Sequence, residues 1–249
     1  MSNFKFSINE IKLLILDFLF PKYCVNCGSE VLSTDGWVCF ECTQKIVPVV
    51  SQICPECEKL SPMGEYHSNC RKGKSLKGII CSTYFHEGPV REMIHNLKYN
   101  GVSELAAPLA RLMERALEKS EIRILNDKFD VRNSDFVITY VPMHNSRKAT
   151  RGYNHAEILA REIGQKLNIK VEDLLIKKSK TRRQAELSGN ARRKNLSGAF
   201  AVKPDICIKN CKIIIVDDVT TTGSTLNECA KVLKTAGAKE IWGLVIARG

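Results

Sequence analysis

The sequence predicts an α/β protein, a parallel sheet wrapped by helices, preceded by a small cysteine-rich unit. Two observations carry this expectation. Beyond about residue 76, short apolar runs without a polar face alternate with segments whose apolar residues recur at three- and four-residue steps. Ahead of that point, three CxxC pairs fall between Cys24 and Cys57. A chain of 249 residues, 44% apolar and 26% charged, suffices for one full core and a small accessory unit.

At the N-terminus, FSINEIKLLILDFLF carries Ile8, Ile11, Ile15 and Leu19 at helical spacing, interrupted by Glu10 and Asp17. Neither a basic lead nor a small-residue cleavage site surrounds it. The expectation is an amphipathic helix packed on the body, not an export signal or a membrane span.

Eleven cysteines without an export signal point to the reducing cytoplasm, where metal binding is the commoner use of paired thiols. Cys24 and Cys27 with Cys39 and Cys42 form one set of four, and Cys54 and Cys57 with His67 and Cys70 a second. Each tight turn lets two ligands reach one metal, and a second turn completes the tetrahedron at about 2.3 Å per sulfur. Two filled structural zinc sites are expected, although cross-braced pairing of the same ligands stays open. Their thiolates would lower the formal net charge from +11 to about +8. Residues 1–76 are thus the N-terminal helix and zinc-binding domain, and residues 77–249 the α/β domain.

Within the second unit, GIICSTYFHEG reads as a strand, PVREMIHNLKYNG as a helix and SELAAPLARLMERALEKS as a longer helix. DFVITYVP reads as a strand and NHAEILAREIGQKL as a helix. KIIIVDDV, TLNECAKVLKTAG and EIWGLVIAR follow as strand, helix and last strand. No internal repeat is evident. Residues 177–195, KKSKTRRQAELSGNARRKN, hold eight Lys or Arg against one Glu and lack apolar periodicity, so a basic loop is expected.

Chemistry concentrates where KIIIVDDV meets TTTGST. Ligands in such sheets bind beyond the carboxyl ends of strands, so Asp217 and Asp218 are expected to meet sugar hydroxyls or a metal there. The following Thr220, Thr221, Thr222, Gly223, Ser224 and Thr225 make an anion seat. Gly223 allows close backbone approach, the amides converge at a helix start, and the hydroxyls donate. No Lys follows the glycine as in a Walker loop, and GxGxxG is absent.

IIIVDDVTTTGSTL resembles the phosphoribosyl pyrophosphate signature of type I phosphoribosyltransferases, an acidic pair followed by a T-G-x-T loop. Together with VPMHNSRKATRGYNHAEILA, RRQAELSGNARRKNLSGAF and the cysteine-rich N-terminus, it is similar to the ComF family of competence proteins, from about Leu14 to the end. That resemblance implies a zinc finger joined to a phosphoribosyltransferase-like domain. It implies a pyrophosphate loop at Pro142, Met143, His144 and Asn145, with Arg147 and Arg151 as anion partners. The family's hood region corresponds to the basic segment with Gln184, Leu187, Arg192, Arg193, Asn195 and Gly198, and Arg182, Arg183, Gln184, Arg192, Arg193, Lys194 and Asn195 are the basic-loop residues expected to meet DNA.

Two departures stand out. Where the family usually reads RGFNQ, this chain has Arg151, Gly152, Tyr153, Asn154 and His155. At a helix start, His155 reads as a solvated residue or cap, and His144, inside the anion loop, as the better functional ring. The resemblance implies single-stranded DNA as partner, with competence-machinery proteins beside it. The alternative is an active transferase using phosphoribosyl pyrophosphate with magnesium, whose acceptor and catalytic residues no motif names.

Overall fold

The computed structural model describes residues 21–31, 36–86, 88–119, 136–178 and 198–249. The expected N-terminal helix and most of the basic segment lie outside the described residues. In chain order the elements are α1 (Phe40–Gln44), β1 (Gly78–Tyr84), α2 (Pro89–Tyr99), α3 (Ala106–Lys119), β2 (Phe136–Tyr140), α4 (Asn145–Arg151) and α5 (His155–Leu167). Then come β3 (Leu175–Lys177), β4 (Phe200–Val202), β5 (Lys212–Thr220), α6 (Ser224–Thr235) and β6 (Glu240–Arg248).

Four strands form the main sheet in the order β1-β6-β5-β2, every pair parallel. The sheet is covered on both sides, which is why β6 is buried from Ile241 to Ala247 and reads as one apolar run. On one face α2, α3 and α5 pack on Ile214 and Val216. On the other, α6 and the β3–β4 hairpin pack on Ile213 and Ile215. Successive β5 side chains therefore leave opposite faces, as strand geometry requires.

Two features escape the periodicity reading. Helix α4, NSRKATR, has no apolar stripe and buries no residue; its caps hold it. His144 Nδ1 accepts from the Ser146 amide, and Gly152 closes the other end at φ 82°. Strands β3 and β4 have three residues each, too few to show alternation, and pair antiparallel around the basic segment.

The cysteine-rich unit does contain a repeat, contrary to the sequence expectation. The turn over Cys24–Glu30 recurs over Cys54–Leu60 with the same bonds. In each, the first cysteine's amide donates to the carbonyl five residues on and its carbonyl accepts from the residue four on. The residue after the second cysteine takes positive φ in both, Gly28 at 72° and Glu58 at 59°. Identity changes between the copies, so a search for like residues misses a duplication of backbone path. The unit is also not set apart from the sheet. Val49, Cys54 and Tyr66 share the core of α6, and bridges join Pro48 to Thr83 and Glu65 to Gly78.

Candidate functional site

The two zinc-type clusters come first. Ligand atoms of Cys24, Cys27, Cys39 and Cys42 lie within 4.8 Å of one another, as do those of Cys54, Cys57, His67 and Cys70. Tetrahedral bonds of 2.3 Å separate ligands by roughly 3.8 Å, so both sets fit one zinc each with small closure. Burial pushes the bare Cys42 thiol up to about 12 and the Cys70 thiol to about 11, both helped by neighbouring sulfurs, so the four sulfurs of the first set and the three of the second need a cation to ionise together. His67 is oriented for ligation. Its Nε2 donates to the Leu60 carbonyl at 3.1 Å, leaving the Nδ1 lone pair facing Cys57 Sγ at 3.2 Å.

The second cluster abuts the loop between β5 and α6. Gly223 sits there at φ 69°, and a Cβ on it would lie 2.7 Å from Ile79 Cδ1 and 3.3 Å from the Tyr66 hydroxyl. Both facts demand glycine. The Gly223 amide donates to Thr220 Oγ1 at 3.1 Å, Thr222 and Ser224 share a hydroxyl bond of 2.7 Å, and the Gly223 carbonyl opens α6 by accepting from Asn227. The cysteine-rich unit grips the same helix, because the Ser75 amide donates to Asn227 Oδ1 at 2.9 Å. Tyr66, next to His67, is buried, and its hydroxyl has no partner among the described residues.

Strand β5 runs on past the acidic pair to Thr220. By alternation Asp217 leaves the backbone on the α6 side and Asp218 on the α2 and α5 side, yet at the end of the strand an oxygen of each lies within 4.8 Å of the other and of a His155 ring nitrogen. Asp218 Oδ2 meets Lys98 Nζ at 2.5 Å and His155 Nε2 at 2.9 Å, while its Oδ1 accepts from the Val219 amide. Burial alone would raise the Asp218 carboxyl, but Lys98 and His155 together hold it well below the usual carboxylate range. Burial likewise pulls at Lys98, and the facing Asp218 carboxylate more than offsets it, so the ammonium is held above its ordinary value. Asp217 goes the other way: burial and then the Asp218 charge push it up to about 7.

His155 is thus neither solvated nor a cap, which corrects the sequence expectation. Asn154 caps α5 by accepting from Ala156, and His155 turns inward. Arg151 Nη1 faces His155 Nδ1 at 3.5 Å, and its guanidinium lies 4.6 Å over the Tyr99 ring. Arginine only donates, so Nδ1 accepts and Nε2 carries the proton toward Asp218. His144, in turn, spends its Nδ1 on capping α4, bonding Ser146.

Of the remaining expected residues, Pro142 is buried and Met143, Asn145 and Arg147 follow β2 at the head of α4. Arg147 and Asp217 both act on Lys177, whose ammonium is lowered first by burial and next by the Arg147 charge. Arg182, Arg183, Gln184, Leu187, Arg192, Arg193, Lys194 and Asn195 lie outside the described residues, and Gly198 enters β4 at φ 71°. No sequence motif marks Lys98 or Tyr66. Lys98 occupies an ordinary amphipathic helix position with no motif to mark it, and only adjacency to His67 flags Tyr66. Lys98 also lines a cavity of about 300 Å³ along α2 with Phe85, Arg91, His95 and Tyr99.

Residues 15–71 match the family model for a double zinc ribbon domain, and residues 149–248 match that for a phosphoribosyl transferase domain. Competence protein F of Haemophilus influenzae is 30% identical over 233 residues, which cover 90% of this chain and 96% of that protein. The chain belongs to the ComF family. Its relatives include DNA utilization protein YhgH of Salmonella typhimurium, 27% identical with 90% of this chain and 96% of that protein covered. Competence protein ComFC of Streptococcus pneumoniae is 25% identical, with 83% and 86% covered. The sheet and the double ribbon are the two parts this ComF-family chain combines. No helix among the described residues is long and apolar enough to cross a membrane.

Proposed function

We propose that this chain handles single-stranded DNA in natural transformation, seating a 5-phosphorylated pentose of the strand at the β5–α6 loop. The basic segment 177–195, with its local excess of seven positive charges, tracks the neighbouring phosphates. One observation carries the reading. Gly223, left-handed and pressed on Ile79, opens the twelve-residue helix α6 with hydroxyls of Thr222 and Ser224 at its mouth, directly after Asp217 and Asp218. Amides and a helix dipole converging on a hydroxyl-lined turn favour a phosphate, and a carboxylate beside it favours a sugar. The names of the relatives, a competence protein and DNA utilization proteins, agree with this role. In the same reading the two ribbons hold one structural zinc each, and competence-machinery proteins are further partners.

Fluorescence anisotropy of the zinc-loaded protein with a 3′-labelled single strand tests it. The affinity should fall with salt at a log–log slope of about −0.7 per neutralised phosphate, roughly −3 for four contacts. A 5′-phosphate should strengthen binding over a 5′-hydroxyl. Salt-insensitive binding with no gain from the phosphate would refute the reading.

Turnover as a phosphoribosyltransferase, with magnesium and phosphoribosyl pyrophosphate, is a second reading favoured by the domain match over residues 149–248. Arg147 and Arg151 would then meet the pyrophosphate. Its mark is pyrophosphate release with a supplied acceptor.

A further inference from the structure

The basic segment 177–195 offers charge to a strand but contains no aromatic residue, so it has no ring on which a base could stack. The structure collects rings elsewhere. Helix α2 buries Val90, Met93, Ile94 and Leu97 and turns Arg91, His95, Lys98 and Tyr99 to another side at steps of three and four residues. With Glu92, Ile94 and Phe85, which follows β1, these four line the cavity of about 300 Å³. Tyr99 is 61% exposed, yet its ring is held in place. The Arg151 guanidinium lies 4.6 Å over it, and the His95 ring packs at 5.0 Å. A ring already fixed loses little freedom when a ligand stacks on it.

The cavity adjoins the loop between β5 and α6. The Phe85 amide donates to the Arg248 carbonyl at 2.6 Å, and the next residue, Gly249, donates its amide to the Thr220 carbonyl at 3.0 Å. A Cβ on Gly249 would lie 3.6 Å from Phe85 Cβ and 3.8 Å from Thr221 Cγ2, so a single residue separates the cavity wall from the loop. The volume stands at the low end of the roughly 300–1,000 Å³ of small-molecule pockets, room for one flat ring system and not for a run of nucleotides. A lone phosphate is the poorer fit, because Glu92 lines the same cavity and Lys98 is already paired with Asp218. Glu92 accepts, Arg91 donates and His95 does either, a mixture that suits base edges in general.

We propose that this cavity between the end of β1 and α2 receives one nucleobase of the single strand, packed against the rings of Tyr99 and Phe85. The inference rests on the proposed strand reading, with a phosphate at Gly223, and deepens it by assigning the stacking surface that the basic segment lacks. Stacking of this kind tolerates any base, so little sequence preference accompanies it.

Anisotropy titration of the full-length, zinc-loaded protein with a 5′-phosphorylated single strand tests it, using a set of strands in which one nucleotide at a time is made abasic. Loss of the base at one position should weaken binding about fivefold or more, and loss elsewhere should change it little. Tyr99→Ala should weaken the intact strand to the level of that abasic strand while leaving the abasic strand's affinity unchanged, and Tyr99→Phe should bind as the unaltered protein does. A Tyr99→Ala loss that is equal for intact and abasic strands would show that the ring only supports Arg151, and overturns the inference. Binding that depends on salt and on the 5′-phosphate but on no base also overturns it and leaves the Gly223 reading standing. Failure to bind any strand overturns that reading, and this inference with it.

Discussion

Lys98 Nζ stands 2.5 Å from Asp218 Oδ2, joining the end of α2 to a strand far along the chain, with the carboxylate 6% and the ammonium 21% exposed. The ion pair closes a ring of contacts, because Tyr99 lies under Arg151, Arg151 faces His155, and His155 returns to Asp218. It anchors α2 and α5 to the carboxyl end of β5. Asp218 is therefore a structural joint between β5, α2 and α5.

Removing one member of such a pair leaves the other charged and buried. Lys98→Met should cost about 3 kcal/mol, read by urea denaturation at pH 7. The pH window follows from the two shifts. Asp218 is depressed in the fold, so its contribution is present above its unfolded value near 3.9 and lost as pH falls below that. Lys98 is raised, so its contribution is present below its unfolded value near 10.4 and lost as pH rises beyond it. The gap between unaltered and variant protein should be widest between about pH 5 and 10. A gap that does not change at pH 3 would show that the charges are not its source.

Asp217 has the opposite sign. With a folded value of about 7 against about 3.9 unfolded, its ionisation opposes folding, and stability should decline as pH rises from about 4 to 7. Asp217→Asn removes that penalty. The variant should be more stable by on the order of 1–3 kcal/mol at pH 8, less than the full shift implies because the side chain is partly solvated, and equal to the unaltered protein near pH 3. Thermal melts across this range check it.

Tyr66 presents a buried hydroxyl with no partner among the described residues, under the Gly223 turn. Its burial raises the phenol well above its ordinary value. Deleting an unsatisfied hydroxyl removes a desolvation cost, so Tyr66→Phe should be neutral or stabilising by about 1 kcal/mol in denaturant titration. A loss of more than about 1 kcal/mol would reveal a partner for that oxygen.

Metal analysis should return two zinc ions per chain. Cys57→Ser should keep the first and lose the second. Since Ser75 and Tyr66 lean on the head of α6, amide exchange around Gly223 and Asn227 should quicken in that variant. Exchange there identical to the unaltered protein would disprove the coupling.

Parallel strands buried on both faces show as IIIV and LVIA, and α2, α3, α5 and α6 show as stripes, because burial acts on neighbours one turn or one pleat apart. The CxxC spacing and the acid pair before TTTGST were legible for the same reason: each is a local backbone requirement. The partners of Asp218 and the inward turn of His155 come from packing across the sheet. Alternation along β5 places Asp217 and Asp218 on opposite faces, but the identity of the partners waiting there depends on how α2 and α5 cross the sheet. Cation, imidazole and carboxylate come from three separate stretches of chain, and their meeting is fixed by packing over distances at which no periodicity carries information.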